Sequence, residues 1–399
     1  MKVIKVLLIA PIPKEYGGSY TTGVCKVVSE LMHHSPIGIQ YYLSSSNLKD
    51  SNANKLCTYV NQYRGYRILF FDVLSDLILH PLRTFKEFYV YWHKCHVNPF
   101  RYEFYKVNIK RHISEIEPDL IHVHTTEVPA VYFANTKHIP VLNTFHGIFY
   151  RGEKCQKQHG DFLKFCANHC DYFTGLTREC EFYMKKLLNI SDDKITIIPN
   201  GVNTKVYFYN ETQRNIIRKQ MGVSDNIILF ITVASVQERK GQLCFIKVLE
   251  KLNVDWQYWI VGIGPDLEII EKYILEHNLS SRVKCLGRKN SEDLYKYYSA
   301  ADIYAHPSTM EGQALCEMEA YSTGIRVVAN IDIKDTITTN VSDDNIYFLL
   351  KMDDVDYSVL IKWLTKKTEN RSSRSDINWN VVSNRYSKLY EKILKNSMV

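Results

Sequence analysis

Two acidic residues, Glu311 and Glu319, stand eight positions apart in a stretch whose pattern changes from strand to loop to helix. The apolar run at residues 303–305 is typical of a short buried strand. Gly312 lets the backbone approach another group closely, and residues 314–320 have the composition of a helix. The sequence therefore predicts Glu311 in a loop and Glu319 about two turns inside the following helix.

A loop that leads into a helix start is suited to a phosphorylated ligand. The N–H groups and the dipole at a helix N-terminus attract anions, and phosphate is the usual one. Since a carboxylate would repel phosphate, we expect Glu311 to accept hydrogen bonds from neutral hydroxyl groups. This combination fits a nucleotide sugar. On spacing alone, the two glutamates can equally have no function, and that alternative stays open.

The composition is that of a water-exposed globular protein with about two domains. The chain has 399 residues, 45% hydrophobic and 23% charged. Its net charge of +7 fits phosphate ligands or an anionic membrane surface. The positive charges form no single dense stripe, which argues against nucleic-acid binding. No apolar run reaches the ~20 residues that a membrane-spanning helix needs.

Neither a signal peptide nor a metal site is predicted. The apolar run at residues 6–10 is too short for a signal peptide and ends at Pro11. The tightest group of metal-ligand residue types, Cys166, His169 and Cys170, has no matching second half. We therefore expect reduced thiols in a cytoplasm and no bound metal.

The first half of the chain begins like a dinucleotide-binding sheet. A strand is predicted at residues 3–10 and a helix at residues 21–32, with Gly17 and Gly18 between them. The spacing of these glycines is not that of the usual dinucleotide motif, so a tight turn without a ligand is an equal alternative.

His146 directly follows the second of two further predicted strands, at residues 119–124 and 140–144. Ligands of open α/β sheets bind outside the carboxyl ends of the strands. A histidine at that place can donate to a phosphate or a sugar hydroxyl. We therefore favour a functional role for His146 over a structural one.

The second half repeats this plan. A strand is predicted at residues 227–233, and Arg239 and Lys240 follow it just before a helix. Two cations at that place suggest a pyrophosphate clamp, with charge-assisted hydrogen bonds worth about 1.5–3 kcal/mol each. Another strand, at residues 258–261, ends at Gly262. Alternating strands and helices in both halves predict two parallel-sheet domains that face each other across a cleft.

Residues 63–112 combine aromatic residues with nine Lys and Arg and four Asp and Glu. Basic and aromatic residues on one helix can lie in a membrane interface. The alternative, which we favour, is an amphipathic helix packed on the sheet with a solvated basic face.

Seven motifs, in this order, make the chain resemble a known family. They are Gly17-Gly18, DLIHVH (119–124), His146-Gly147, IIPNGV (197–202), Arg239-Lys240-Gly241, GIGP (262–265) and EGQALCEME (311–319). The set is similar to that of the retaining GT-B glycosyltransferases of family 4, also called glycosyl transferases group 1. The likeness covers nearly the whole chain, and Glu311 and Glu319 match the family's E-x7-E signature.

The resemblance implies an α/β protein with the GT-B fold, in which two Rossmann-like domains with parallel sheets face a central cleft. Residues 1–200 would form the N-terminal domain on the acceptor side. Residues 201–375 would form the C-terminal domain that binds the nucleotide sugar. Residues 376–399 would form a C-terminal helix that crosses back to the N-terminal domain.

The resemblance also implies roles for individual residues. The catalytic positions would be His146, Glu311 and Lys240. The donor-binding positions would be Gly17, Gly18, Arg239, Lys240, Gly262, Gly312, Ala314, Leu315, Cys316 and Glu319. Glu319 would hold the ribose hydroxyls and Glu311 those of the donor sugar, while His146 would lie near the donor sugar and the acceptor. The family needs no metal or other cofactor, since positive side chains and helix N-termini can stabilise the leaving diphosphate.

The chain departs from the family pattern at Ala234-Ser235 and at Ala314, and Cys316 and Tyr321 are also unusual choices. Relatives often have Gly-Arg where this chain has Ala234-Ser235, so the phosphate contact of that arginine is missing or has moved to Arg239. Ala314 stands where glycine is common. None of these changes removes the two glutamates, so activity is expected.

The expected function is retaining, metal-independent transfer of a sugar from a nucleoside-diphosphate sugar to a hydroxyl of a glycan or lipid-linked acceptor, as in surface polysaccharide synthesis. The expected location is the cytoplasm, with peripheral contact at the inner face of the cell membrane as an option. Two alternatives remain: an epimerase of similar fold that acts on nucleotide sugars, and a non-catalytic partner subunit that binds them.

Overall fold

The computed structural model describes residues 3–13, 16, 18, 22–45, 66–124, 128–147, 153–337, 345–349, 354–366 and 371–397, without the side chains of 45, 66–69, 153–156, 158 and 159. The chain divides into two compact units. Unit 1 comprises Met1–Pro199 and Trp379–Val399, and unit 2 comprises Asn200–Asn378.

Unit 1 is built on a sheet of six parallel strands. The strands are β1 (Ile4–Ala10), β2 (Ile39–Ser45), β3 (Leu120–His124), β4 (Val141–Phe145), β5 (Tyr172–Gly175) and β6 (Ile195–Ile197). Their order is β2-β1-β3-β4-β5-β6. Strands β3 and β4 are buried along their whole length, as apolar strands covered on both faces are. The order reverses between β1 and β3, which places a ligand-binding crevice at their carboxyl ends.

The helices of unit 1 cover this sheet. They are α1 (Gly23–His33), α2 (Tyr66–Leu79), α3 (Pro81–Tyr89), α4 (Pro99–Ile116), α5 (Val128–Ala134), α6 (Glu153–His169) and α7 (Arg178–Leu188), with α14 (Trp379–Ser397) at the end of the chain. Thr22 caps α1 by accepting a hydrogen bond from the Cys25 N–H, and Asn98 caps α4 in the same way. Helix α14 buries an apolar stripe that includes Leu389 and Ile393.

Unit 2 is built on a second parallel sheet. Its strands are β7 (Ile228–Val233), β8 (Trp256–Val261), β9 (Val283–Gly287), β10 (Ile303–His306), β11 (Arg326–Asn330) and β12 (Ile346–Leu349). Its helices are α8 (Glu211–Met221), α9 (Gln242–Glu250), α10 (Leu267–Glu276), α11 (Ser291–Ala300), α12 (Leu315–Ser322) and α13 (Tyr357–Thr365). The strand order β12-β11-β10-β7-β8-β9 is that of the doubly wound dinucleotide-binding fold.

The prediction of parallel α/β sheets in both halves is confirmed, but several strands and helices were not predicted from the sequence. The edge strands β2 and β12 were not predicted, because the first contains polar residues and the second is an apolar run of four residues, too short to be assigned from its pattern. Residues 66–116 form three helices and a π-helical turn at Val90–Lys94, and the prediction of one helix there is wrong. Pro81 and Pro99 each occupy the first turn of a new helix, where a proline is tolerated.

The structure also answers whether a described helix could span a bilayer. Over the described ranges, no helix combines the necessary length with the necessary apolar composition.

Candidate active site

The candidate site of unit 2 lies where the strand order of its sheet reverses. Strands β7 and β10 pair side by side, and the chain leaves each of them at the same edge. Two loops therefore meet there, at residues 234–241 and 307–314. The Thr309 N–H donates to the Arg239 carbonyl at 2.9 Å, and Arg239 Nη1 donates to the Met310 carbonyl at 3.1 Å. This is the crevice in which open α/β sheets bind ligands.

Two glycines allow the loops to approach this closely. Gly241 has φ +69°, and a Cβ there would lie 2.2 Å from the Pro307 carbonyl oxygen. Gly262 has φ +147°, and its Cβ would lie 1.9 Å from the Ala234 carbonyl oxygen. A larger residue at either position would push apart the backbone that carries Arg239 and Lys240.

Glu311 is the centre of a charge cluster. Its carboxylate accepts a hydrogen bond from Lys240 Nζ, and Arg239 Nη1 lies 3.8 Å from its other oxygen. His306 Nε2 lies 3.5 Å from Oε1 of the same carboxylate. Burial alone would raise the pKa of Glu311, but hydrogen bonds and charge from His306 and Lys240 hold it well below its usual value. Glu311 is therefore an anion at neutral pH.

His306 joins Glu311 to a second carboxylate that the sequence analysis missed. His306 Nδ1 lies 3.0 Å from Glu317 Oε2, and both side chains are buried. Burial lowers the pKa of His306, but the two glutamates outweigh it and raise the pKa to about 9. The sequence feature that could have predicted this contact is a histidine at the end of a strand, with glutamates five and eleven positions later.

The charge on His306 predicts a pH window for stability. Its folded-state pKa of about 9 exceeds the usual 6.5, so its contribution is complete below pH 6.5 and is lost as the pH rises through 9. We expect the free energy of unfolding of unit 2 to fall by about 3 kcal/mol across that window. This can be measured by unfolding the protein in urea at several pH values, with the hydrogen exchange of peptides from unit 2 as the readout. In His306→Gln this fall should be absent, and an equal fall in the variant would contradict the assignment.

Glu319 lies inside α12, on the helix that follows the loop. It is buried and accepts a hydrogen bond from the Tyr298 hydroxyl at 3.3 Å. Ala314 is the N-cap of this helix, and within the described part of the chain no side chain caps it there. Leu315 and Cys316 begin the first turn, whose N–H groups have no partner within the helix, and a helix start of this kind can bind an anion.

Gln313 fixes the loop between Gly312 and the helix. Its side-chain oxygen accepts a hydrogen bond from the Asn200 N–H at 2.6 Å, and both residues are buried. This bond ties the loop to the IIPNGV turn at residues 197–202, although the two lie far apart in sequence. Periodicity could not have shown a contact of this range.

Ser235, which stands where relatives often have an arginine, carries no positive charge that could contact a phosphate. The Ser235 side chain is exposed and accepts a hydrogen bond from Gln237 Nε2 at 2.7 Å. The nearest cation in sequence, Arg239, lies in the cluster with Glu311.

His146, in unit 1, belongs to a line of histidines at the carboxyl ends of β3 and β4. Its Nε2 lies 3.0 Å from His124 Nδ1, so one of these nitrogens carries the proton. Burial lowers the pKa of His146 to about 4, which makes it neutral at pH 7. The adjacent His122 bonds to the Tyr390 hydroxyl of α14 at 2.8 Å and to Thr144 at 2.6 Å. The end of the chain therefore helps to hold this strand edge.

Gly18, also in unit 1, lies against the backbone that leaves β1. Its N–H donates to the Pro13 carbonyl at 3.0 Å, and a Cβ at this position would lie 1.8 Å from the Ile12 carbonyl oxygen. Gly17 lies outside the described residues. The structure thus brings Arg239, Lys240 and Glu311 together in unit 2, with Gly312 and α12 following Glu311 in the chain. It places Gly262 against the backbone of Ala234, also in unit 2, and His146 and Gly18 in unit 1.

The family model described as "Glycosyl transferases group 1" matches residues 213–372, and the model "Glycosyltransferase Family 4" matches residues 64–206. The chain belongs to glycosyltransferase family 4. The two models together span most of this family 4 member, including the Arg239–Lys240 and Glu311–Glu319 motifs.

Relatives of this family 4 chain include proteins named for lipid-linked substrates. It is 26% identical over 272 residues to UDP-Gal:alpha-D-GlcNAc-diphosphoundecaprenol alpha-1,3-galactosyltransferase of Escherichia coli, a match covering 64% of this chain and 69% of the relative. It is 22% identical over 255 residues to alpha-monoglucosyldiacylglycerol synthase of Acholeplasma laidlawii, covering 58% and 64%. The second match thus spans less than two thirds of that relative.

Solved structures share the fold. Sucrose-phosphate synthase of Thermosynechococcus elongatus superposes with a TM-score of 0.70 at 15% identity, covering 98% of this chain and 100% of the other. HepE of Anabaena, solved in complex with UDP and glucose, has a TM-score of 0.62 at 14% identity, covering 99% and 98%. The family 4 chain therefore has the GT-B fold.

Proposed function

We propose that this glycosyltransferase moves a sugar from a nucleoside-diphosphate sugar to a hydroxyl of a glycan or lipid-linked acceptor, with retention at the anomeric carbon and without a metal ion. The bond between the anomeric carbon and the phosphate oxygen breaks, and a bond to the acceptor oxygen forms. The leaving diphosphate accepts the acceptor's proton, so no protein nucleophile is required.

The observation that carries this proposal is the meeting of Arg239, Lys240 and Glu311 at the switch point of unit 2. Lys240 and Arg239 both have Glu311 as their anion. We propose that the diphosphate takes over these cations and that the freed carboxylate accepts hydrogen bonds from sugar hydroxyls. The cations then stabilise the charge that develops on the leaving group.

The remaining site residues receive roles around this centre. We propose that Glu319 binds the ribose hydroxyls and that the N–H groups of residues 314–316 approach the phosphates, with Gly262 and Gly312 leaving room for the ligand. In unit 1, Gly17 and Gly18 would contact the pyrophosphate, and the neutral His146 would donate to a sugar or acceptor hydroxyl.

The comparisons support transfer over the two alternatives. The relatives named above are a transferase and a synthase of glycosylated lipids, and one of the solved structures holds UDP and glucose. None of these names favours an epimerase or a non-catalytic subunit. By analogy with the lipid acceptors in those names, we place the protein at the cytoplasmic face of a membrane.

A panel of UDP-, GDP- and ADP-sugars with lipid-linked and glycan acceptors would test the proposal. We expect one donor to raise the melting temperature and to be consumed in the presence of EDTA, with the donor's anomeric configuration kept in the product by NMR. Turnover that stops in EDTA would refute metal independence, and an inverted product would refute retention. Isomerised donor without acceptor would indicate the epimerase.

The ribose assignment has its own test. Glu319→Gln keeps an oxygen that can accept from Tyr298 but removes the charge, so we expect the fold to persist and the nucleotide Kd to rise about tenfold or more. Isothermal calorimetry with the nucleoside diphosphate would measure this. Glu292→Gln, at an exposed carboxylate of α11, is the matched control. Equal affinity of the two variants would contradict the assignment.

A further inference from the structure

Unit 1 exposes an unusual density of large hydrophobic side chains on α2, α3 and the π-helical turn. Ten of the nineteen such side chains exposed in the described residues lie between Phe70 and Phe100. The exposed fraction is 68% for Phe71, 80% for Leu82 and 64% for Trp92. An apolar surface of this density marks an interaction site in a water-exposed protein.

The exposed residues recur at helical spacing, so each helix carries them on one stripe. In α2 the stripe is Phe71, Leu74 and Ile78, and in α3 it is Leu82, Phe85 and Tyr89. These are positions i, i+3 and i+7 in each helix, which share a face.

Two acidic residues of the same helices point inward. Asp76 of α2 and Glu87 of α3 are buried, and both accept hydrogen bonds from Lys106 of α4, at 2.8 and 2.5 Å. Glu103 completes the group, 2.6 Å from the same ammonium. Because a helix against water normally buries its apolar side, this reversed polarity indicates that the outer face meets an apolar phase.

The charges that remain outside on this surface are positive. Lys86, Lys94 and Arg101 are exposed, while the charge of Arg83 is paired with Asp76 at 2.6 Å. No carboxylate in the described stretch 70–101 is fully exposed, and Asp72 is half-buried. We call this set of outward stripes and exposed cations, from Phe70 to Arg101, the apolar-basic face.

We propose that the apolar-basic face docks on the surface of an anionic lipid bilayer, with α2 and α3 lying in the plane of the interface. Aromatic and aliphatic side chains would enter the boundary between headgroups and acyl chains, while the basic side chains contact anionic headgroups. A second copy of the chain fits less well, because pairing two such faces would bring like charges together. This inference goes beyond sugar transfer and stands if the transfer proposal fails.

Co-sedimentation with vesicles tests the docking surface. We expect the full chain to bind vesicles of phosphatidylcholine mixed with phosphatidylglycerol, to bind phosphatidylcholine alone at least tenfold more weakly, and to lose affinity as salt rises. Phe71→Ser combined with Phe85→Ser, and separately Lys86→Glu combined with Lys94→Glu, should each weaken binding at least tenfold. These side chains are exposed, so circular dichroism should show both variants folded.

The control replaces exposed hydrophobic residues elsewhere: Ile269→Ser with Leu275→Ser, on α10 of unit 2. It should bind vesicles like the unchanged protein. No binding of the unchanged protein, equal binding to both vesicle types, or an equal loss in the control would overturn the proposal. So would a concentration-dependent dimer, seen by ultracentrifugation, that the Phe71/Phe85 variant abolishes while vesicles bind neither form. Consumption of donor with a water-soluble acceptor, measured alongside, reports on transfer separately.

Discussion

Replacing Glu311 with Gln is expected to lower kcat/KM for sugar transfer by at least about 100-fold, while unit 2 stays folded. The carboxylate organises Lys240, Arg239 and His306, and we propose that it then holds the donor sugar. A glutamine has the same shape but lacks the charge, so it neither keeps the cations in place nor accepts charge-assisted hydrogen bonds. Removing one preorganised electrostatic group of this kind typically costs 10²–10³ in kcat.

The measurement is steady-state transfer with the donor that the panel identifies, beside a thermal melt to confirm folding. Glu238→Gln is the matched control, because Glu238 lies in the same loop region but is exposed. The control should retain near-normal kcat/KM. Near-normal transfer by Glu311→Gln would contradict a role of Glu311 in the active site, even if other residues still bound the nucleotide.

Replacing Lys106 with Met is expected to destabilise unit 1 by about 3–5 kcal/mol, since it removes the buried cation that contacts all three carboxylates of a buried cluster. The Lys106 ammonium lies 2.8 Å from Asp76, 2.5 Å from Glu87 and 2.6 Å from Glu103. Three carboxylates this close would attract a metal ion if they faced a cavity, but the lysine occupies their centre. Burial raises the pKa of Glu103 to about 7, even though Lys106 and its hydrogen bond oppose the shift.

The pH dependence of this loss follows from the same group. Without Lys106, Arg83 still pairs with Asp76 and Glu87, but Glu103 loses its cation. Protonation relieves the repulsion that remains among the three carboxylates, so the destabilisation should be smaller at pH 5 than at pH 8. Hydrogen exchange of the α4 amides and the urea midpoint would report it at both pH values. Lys110→Met is the control: this half-exposed lysine lies 3.7 Å from Asp76, and we expect a loss of under about 1 kcal/mol. Equal losses in the two variants would contradict a central role for Lys106.

The sequence by itself determined the regular framework and the order of its motifs. Short, mainly apolar runs such as those of β3 and β10, which alternate with helical segments, indicate covered parallel strands. The end of each apolar run marks the end of a strand, and Arg239, Lys240, Glu311 and His146 all follow such ends. Parallel topology brings the ends of neighbouring strands to one edge, so these residue types predict a ligand site before any contact is known.

The tertiary structure alone decided which groups those residues touch. Nothing in the local pattern pairs His306 with both Glu311 and Glu317, or Gln313 with Asn200, since these bonds depend on how two loops and a helix meet. The helical period of residues 66–89 is the same whichever side faces water. Only the packing of α4, which places Lys106 beneath the two helices, turns their acids inward and leaves Phe71, Leu82 and their neighbours outside. Periodicity fixes the spacing of a stripe, and the direction of the stripe comes from partners distant in sequence.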